Sequence, residues 1–424
     1  MQQNIAQNAT LTFKYNQELG RHGWLRLTPA YSVRLVEQLL QELDYKPRCV
    51  LDPFSGSGTT ALVCANQGIN SFAFDINPFL VWLGNVKLCQ YSSETRAAFV
   101  HIAAELAGDL QRCQPAALPP IFNLDRWWGR AQADFLARLK GAIWELRSTC
   151  DGEVVQLLQI AFCRMVIELS NAAFNHVSTS FKNTTGAANA ADAADAADAV
   201  STAIAEEAFD PKAAREQFLQ SCSMVSEGAA ICPQAQAQVL LRDARDAPAQ
   251  FTNQFDTIIT SPPYPNRISY IRELRPYMFW MDMLKSAGQA GELDWQAIGG
   301  TWGRATSRLG SWHSAGTLPQ YICALADKIA KADHKSARLM ANYVLKYFED
   351  MREHLHSAFA GLCRGGRVFY IVGNSSFYGV LVPTDQIYAD LLQDAGFVDV
   401  DCTVVRKRNC NKKLFEYAVS ARKP

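Results

Sequence analysis

Two short segments hold the residues of this 424-residue chain best suited to chemistry. The first is Leu51-Asp52-Pro53-Phe54-Ser55-Gly56-Ser57-Gly58-Thr59-Thr60, and the second is Thr260-Ser261-Pro262-Pro263-Tyr264. Each follows an apolar run. The first has glycines where a backbone must turn sharply and approach a ligand closely, as in a loop that wraps a nucleoside cofactor. The second presents a hydroxyl, a carbonyl and an aromatic ring to a planar, amino-bearing base. Together they point to methyl transfer from S-adenosylmethionine onto an exocyclic amine.

In the glycine loop, Gly56 and Gly58 supply the turn, and Asp52 is placed to receive the cofactor's ammonium group directly or through water. Asp75 ends the next apolar run, where a carboxylate takes both ribose hydroxyls. Asp243 follows a third run and is placed to meet the adenine amino group. An ordinary strand-to-helix turn also uses glycines. The flanking Asp52-Pro53-Phe54, the Thr59-Thr60 pair and the acid at 75 favour a cofactor site, which also takes in Asn77. No Gly-Lys-Ser/Thr follows the loop, so a nucleoside triphosphate is not expected.

In the second segment the chemistry concerns a poor nucleophile. The lone pair of a base's amine is conjugated into its ring. Acceptors aimed at the amine protons draw the nitrogen towards a tetrahedral geometry and free that lone pair. The Ser261 hydroxyl and the Pro262 carbonyl are the candidate acceptors, and the prolines Pro262 and Pro263 stiffen the loop. Tyr264 is placed to stack on an extruded base. Transfer would be direct and in line, with proximity supplying much of the acceleration. A C5-cytosine methylase needs a cysteine after a proline, and no proline here precedes a cysteine. The plainer alternative is a rigid turn after a buried strand.

These segments need strands to carry them. Arg48–Asp52 reads as a buried strand, Thr59–Asn66 as a helix and Ser71–Asp75 as a second strand, which makes one βαβ unit. Thr28-Pro29 reads as a helix cap ahead of Val33, Val36, Leu39, Leu40 and Leu43 at helical spacing. Val239–Asp243 and Phe255–Thr260 are a third and a fourth strand, and Arg367–Val372 a fifth after the long helix Ser336–Leu362, which Arg364-Gly365-Gly366 ends. Asp385–Ala395 is a further helix. Val398–Val405 and Phe415–Ala421 form a closing antiparallel hairpin, with Arg406-Lys407-Arg408, Lys412 and Lys413 as a basic loop between them. The expected fold class is α/β: a doubly wound, Rossmann-like methyltransferase sheet, mostly parallel, with a C-terminal antiparallel hairpin and a largely helical insertion. Residues 1–85 and 236–424 make the core, 86–235 the helical insertion and 285–335 a second one. Helices Glu94–Ala107, Ala131–Ser148 and Val154–Ala173 belong to the insertion, and inside it Asn183 to Val200 is low-complexity, repeating Ala-Ala-Asp from Ala190 to Asp198.

Composition narrows the class. Hydrophobic residues make up 49% and charged residues 19%, as in a globular protein. The 41 basic and 41 acidic residues cancel, so any nucleic-acid contact must rest on a local basic face. The twelve cysteines contain no Cys-x-x-Cys pair, which argues against zinc and for a reducing cytoplasm. No histidine pairs with another at ligand spacing, so no metal site is expected. Met1 to Thr12 carries no apolar signal core, and no run approaches ~18 apolar residues, so no membrane association is expected.

The two segments resemble the cofactor and catalytic motifs of the DNA amino-methyltransferases, the family that makes N4-methylcytosine or N6-methyladenine. Arg21-His22-Gly23-Trp24 through Thr28-Pro29-Ala30 resembles that family's N-terminal cofactor motif, so Trp24 and Thr28 are implied to help hold the methionine end. The resemblance covers roughly residues 20–85 and 235–424. Within the family, serine at the first catalytic position is associated with N4-cytosine, and aspartate or asparagine more often with N6-adenine. The resemblance therefore implies a site-specific enzyme on double-stranded DNA, with S-adenosylmethionine as cofactor and cytosine N4 as target. A separate cognate restriction nuclease or a role in phage defence would accompany it. An N6-adenine enzyme, an RNA base methyltransferase and a catalytically silent subunit of the same fold remain open as alternatives.

Some smaller features belong to the same reading. Asn266 and Arg267 directly follow the catalytic loop, where an arginine can hold the phosphate beside a flipped nucleotide. Tyr270, Arg272 and Arg275 follow them, though a solvated helix start would use such residues equally well. Arg406, Lys407 and Arg408 form the best basic patch. Trp127-Trp128 suits core packing better than base stacking. Lys182 suits a plain surface loop as well as a DNA contact.

Overall fold

The computed structural model describes residues 8–12, 14–27, 30–173, 180–181, 209–246, 249–266, 268–301, 303–408 and 414–424. A seven-stranded sheet organises it: β1 (Cys49–Asp52), β2 (Asn70–Asp75), β3 (Ala237–Leu241), β4 (Phe255–Thr260), β5 (Leu362–Gly373), β6 (Val398–Lys407) and β7 (Phe415–Arg422). In space they run β3-β2-β1-β4-β5-β7-β6. Strands β1 to β5 are mutually parallel, whereas β7 is antiparallel to β5 and β6 is antiparallel to β7. The expected C-terminal hairpin is present.

Alternate residues of the central strands enter two different cores, as the two-residue period of a strand requires. Leu51, Ile258, Val368, Tyr370 and Val372 pack with the helices Ala337–Gly361 and Thr384–Asp394. Val50, Ile259, Phe369 and Ile371 pack with α1 (Val33–Gln41) and α2 (Thr59–Asn66). Both faces of the sheet are thus covered, which is why its parallel strands read as continuous apolar runs. A separate, mainly helical core joins the helices Ser93–Asp109, Arg130–Glu145, Gly152–Glu168 and Pro211–Ala229. It reaches beyond the expected insertion, taking in Trp24, the helix Pro78–Leu88 and the helix Tyr270–Trp280. Trp127 and Trp128 are buried in it. Among the described residues, no helix is long and apolar enough to cross a membrane.

Two local expectations are corrected. Helix α1 does not start behind Thr28-Pro29. Tyr31 is still extended, bridged to Thr12, and Ser32 caps the helix by accepting a hydrogen bond from the Arg34 amide at 3.2 Å. Thr28 and Pro29 lie outside the described residues. Arg364-Gly365-Gly366 does not end the long helix. That helix stops at Gly361, and the glycines sit within β5, where its register with β4 shifts and Gly365 adopts φ +79°. The Ala-Ala-Asp repeat and Lys182 also lie outside the described residues.

Candidate active site

Five parallel strands end on one edge of the sheet, so Asp52, Asp75, Asp243 and Ser261 are delivered to one side although they are remote in sequence. Antiparallel β7 starts on that same edge, and β6 finishes there. A cavity of about 540 Å³ opens along the edge, in the size class of small-molecule sites. Pro53, Phe54, Ser55, Gly56, Ser57, Asp75, Asn77 and Asp243 line one wall, and Ser261, Pro262, Pro263, Tyr264 and Asn266 the other.

The first wall is built on backbone geometry. Gly56 and Gly58 adopt φ +50° and +76°, left-handed values that favour glycine. Asp75 accepts from the Gly56 amide at 3.0 Å and from the Asn77 amide at 2.9 Å. Asn77 caps the next helix through its Oδ1, and its buried Nδ2 has no partner. Asp52 stands behind the cavity surface at 1% exposure. Its Oδ1 takes the Thr260 hydroxyl at 2.6 Å and the Phe54 amide at 3.1 Å, while Oδ2 is unpartnered. Thr59 and Thr60 are also buried behind the wall, where Thr60 donates to the Ile259 carbonyl at 3.3 Å and contacts the Tyr31 hydroxyl. Asp243 reaches the cavity but is clamped by Arg245 at 2.6 and 3.0 Å. Trp24 is not on this wall; it packs in the helical core against Tyr91.

The second wall is held from behind by tyrosines. Tyr347 donates to the Pro263 carbonyl at 2.7 Å and shares a 2.7 Å contact with the Tyr388 hydroxyl. Tyr343 reaches the Tyr264 carbonyl at 3.5 Å, and the Tyr264 amide reaches the Tyr270 hydroxyl at 3.4 Å. The Pro262 carbonyl has no partner among the described residues. Ser261 Oγ lies 3.2 Å from the Ile371 carbonyl. Asn266 folds back with its amide on the Tyr264 carbonyl at 2.8 Å. Arg267 lies outside the described residues.

The basic hairpin also belongs to this site. Arg406 and Arg408 line the cavity, and Lys407 between them does not. Arg406 pairs with Glu416 at 2.7 Å. Arg408 donates to the Asn374 carbonyl at 2.8 Å and lies 5.5 Å from the Tyr264 ring centre. Lys412 and Lys413 are outside the described residues.

The chain resembles several known proteins. A family model described as DNA methylase, of the N6/N4 methyltransferase type, matches residues 12–84. The type II methyltransferase M.BsoBI of Geobacillus stearothermophilus is 19% identical over 444 residues, covering 95% of this chain and 83% of that protein. Together these likenesses support the DNA amino-methyltransferase family for this chain. Shorter stretches are closer to two further type II methyltransferases. One is M.MjaII of Methanocaldococcus jannaschii, 43% identical over 58 residues (14% of this chain, 11% of that protein). The other is M.AvaI of Nostoc, 33% identical over 69 residues (16% and 14%). A solved structure described as a DNA modification methylase of Thermus thermophilus is 18% identical and aligns with 28% of this chain and 49% of that one. Its TM-score of 0.18 carries no argument.

This family's members generally use S-adenosylmethionine, and the first wall suits such a ligand. It combines positive-φ glycines, an acid at the end of β2, and buried polar atoms on Asp52 and Asn77 that lack partners. Burial pushes the Asp75 carboxyl up to about 7 and the Asp52 carboxyl up to about 6, so both gain from a ligand that donates to them. Burial also raises Asp243, but the Arg245 guanidinium outweighs it and holds that acid below its ordinary value.

Sequence reasoning missed Tyr31, Tyr270, Arg242, Lys14 and Glu416, all of which line the cavity. Tyr270 was noted only beside its basic neighbours. A signal for Glu416 existed: it is the one acid in an otherwise apolar strand start, and an antiparallel last strand must begin where the parallel strands end. Glu416 is only 8% exposed, and burial raises its carboxyl above the usual range while Arg406 and Arg408 pull it back.

Proposed function

We propose that this protein transfers a methyl group from S-adenosylmethionine to the exocyclic N4 amine of cytosine in double-stranded DNA, within a short recognition sequence and with the target base turned out of the duplex. The observation that supports the reading is that Ser261, Pro262, Pro263 and Tyr264 line the same cavity as Asp75 and Gly56. S-adenosylmethionine would supply the electrophilic methyl group. Asp75 would take its ribose hydroxyls, and Asp52, through water or a shift of Tyr31, its ammonium group. Asp243 would meet the adenine amine with the oxygen lone pairs that Arg245 leaves free. The Ser261 hydroxyl and the unpartnered Pro262 carbonyl would accept from the amine of the base.

Further support is electrostatic. The chain is neutral overall, yet Lys14, Arg242, Arg406 and Arg408 all line this cavity. They stand among the acids Asp75, Asp243, Glu273 and Glu416, so they offer individual cationic contacts for phosphates and the cavity as a whole is charge-balanced. The strand order and the two covered faces support a doubly wound, Rossmann-like methyltransferase sheet. The relatives' designation as type II methyltransferases is in keeping with a role beside a separate restriction nuclease.

The test is incubation with tritiated S-adenosylmethionine and unmethylated genomic DNA, followed by nucleoside mass spectrometry. N4-methylcytosine is the expected product. N6-methyladenine would keep the fold and mechanism but remove the weight placed on Ser261. Label in RNA alone, or no label, would overturn the reading.

A further inference from the structure

Methyl transfer to a conjugated amine leaves one proton to be removed, and the Ser261 hydroxyl cannot keep it. On the target wall, one carboxylate is placed to do so. Glu416 pairs in register with Gly373 at the end of β5, two residues beyond the Ile371 carbonyl that Ser261 contacts. Gly373 is itself packed against Tyr264: a side-chain carbon there would come within 2.8 Å of the tyrosine ring. The Tyr264 side chain is a polar neighbour of both the Ser261 hydroxyl and the Glu416 carboxylate, and the Ser261 hydroxyl itself donates to the Ile371 carbonyl at 3.2 Å. Arg406 pairs with Glu416 at 2.7 Å and Arg408 lies over Tyr264, so the two arginines favour the anionic carboxylate against the burial that raises it.

We propose that Glu416 is the final proton acceptor of methyl transfer, reached from Ser261 through the Tyr264 hydroxyl. The proposal rests on the amino-methyltransferase reading above. As the carbon–sulfur bond of the donor breaks and the carbon–nitrogen bond forms, the amine nitrogen becomes cationic. One N–H bond then breaks and its electron pair returns to nitrogen. The proton passes to the Ser261 oxygen, the Ser261 proton to the Tyr264 oxygen, and the Tyr264 proton to Glu416, which ends neutral. Nothing is oxidised or reduced in these proton steps. The transfer is downhill because a conjugated ammonium is a much stronger acid than a carboxylic acid. Tyr264 relays without storing: burial holds its phenol far above the ordinary value, so it does not rest as a phenolate. The other cavity acids are differently placed. Asp75 serves the Gly56 and Asn77 amides, Asp243 is clamped by Arg245, and Glu273 lies on the helix Tyr270–Trp280.

The test compares the full-length protein with Glu416→Gln, Glu416→Asp, Tyr264→Phe and the Glu416→Gln/Tyr264→Phe double variant. Single-turnover DNA methylation is followed between about pH 5 and 9 at saturating cofactor and DNA, alongside calorimetric affinities for each. Saturation keeps the titrations of Asp52 and Asp75 out of the rate. The groups facing Glu416 are Arg406, Arg408 and Tyr264, and Tyr270 faces Tyr264 in turn; of these only Glu416 changes charge in the acid range. The wild-type rate should fall on the acid side with a midpoint above the ordinary glutamate value. Glu416→Gln and Tyr264→Phe should each slow transfer roughly 30- to 100-fold, and Glu416→Gln should abolish the acid limb. The double variant should be no slower than either single one, since both break one relay. Glu416→Asp should recover part of the rate, and affinities should stay within about threefold. A wild-type rate and acid limb in Glu416→Gln, or additive losses in the double variant, would overturn the relay. Should Glu416→Gln fail to fold because Arg406 is left unpaired, Tyr264→Phe decides alone: it removes a single oxygen, and an undiminished rate would overturn the relay. A wild-type protein that methylates no DNA would instead sink the underlying reading, and the relay with it.

Discussion

The two walls of the cavity are built on different plans. The cofactor-side wall comes mostly from one continuous stretch, Asp52 to Asn77, and relies on backbone amides and two left-handed glycines. The target-side wall is assembled from the Ser261 loop, the helix starting at Tyr270, and the β6–β7 hairpin, and is held by tyrosine hydroxyls reaching backbone carbonyls. A wall made of backbone binds a constant ligand with little rearrangement. A wall made of side chains from remote segments can be altered piecemeal, which suits a substrate that must be selected. On this view the two walls should be separable by experiment.

The largest separation is expected at Asp75. Asp75→Ala removes the acceptor for ligand hydroxyls and leaves the Gly56 and Asn77 amides unpaired. Losing two charge-assisted hydrogen bonds corresponds to about 3–6 kcal/mol, or roughly 10²- to 10⁴-fold weaker S-adenosylmethionine binding by calorimetry. Turnover at saturating cofactor should drop less than about tenfold. The counterpart is Ser261→Ala, which should lower kcat about 100-fold and leave cofactor affinity within about twofold. Equal losses of cofactor affinity in the two variants would break the division into walls.

A pH series sharpens the same contrast at about one order of magnitude. The Asp75 carboxyl is raised to about 7, and only its ionised form accepts from two hydroxyls. Cofactor affinity should therefore rise with pH up to about 7 and level off above it, by up to about tenfold per pH unit. The sign for the free protein is opposite. A folded pKa above the unfolded value of 3.8 contributes stability at low pH that is lost as pH rises through about 7. The thermal shift given by S-adenosylmethionine should thus shrink from pH 8 to pH 6. A shift that grows towards acid would show that Asp75 does not serve the ligand as an anion.

The contrast also explains what could be read without coordinates. Gly56, Gly58, Asp75 and Ser261 were legible because each carries its reason locally: a turn, a strand end, a stiff loop. The strands of the parallel core were legible because burial on both faces makes them continuously apolar. Glu416 and Tyr270 were not assigned to the site because their roles arise from the antiparallel turn of the last strand and from a helix packed across the cavity, neither of which leaves a local pattern. Arg406 and Arg408 were legible as a basic patch, but the pairing of Arg406 with Glu416 was not, for the same reason. The start of α1 was misplaced because Thr28-Pro29 satisfies the local capping rule, and only the pairing of Tyr31 with Thr12 keeps the chain extended up to Ser32.

The smallest effect should come from the tyrosines behind the target wall. Tyr347 is fully buried, donates to the Pro263 carbonyl and contacts the Tyr388 hydroxyl. Tyr347→Phe keeps the ring and its packing but removes both polar contacts, leaving a buried carbonyl and a buried hydroxyl without that partner. Each unpaired group costs on the order of 1–2 kcal/mol, so urea unfolding should show a loss of about 2–4 kcal/mol for the two. The loop is the part released, because Tyr347 anchors Pro263 while the neighbouring Pro262 lines the cavity. Its freedom should lower kcat about three- to tenfold and leave S-adenosylmethionine affinity unchanged, since no tyrosine of this network touches the Gly56–Asp75 wall. Weakened cofactor binding in Tyr347→Phe would mean that the walls are mechanically coupled through the loop. An unchanged kcat would mean that the two prolines alone hold Ser261 in place.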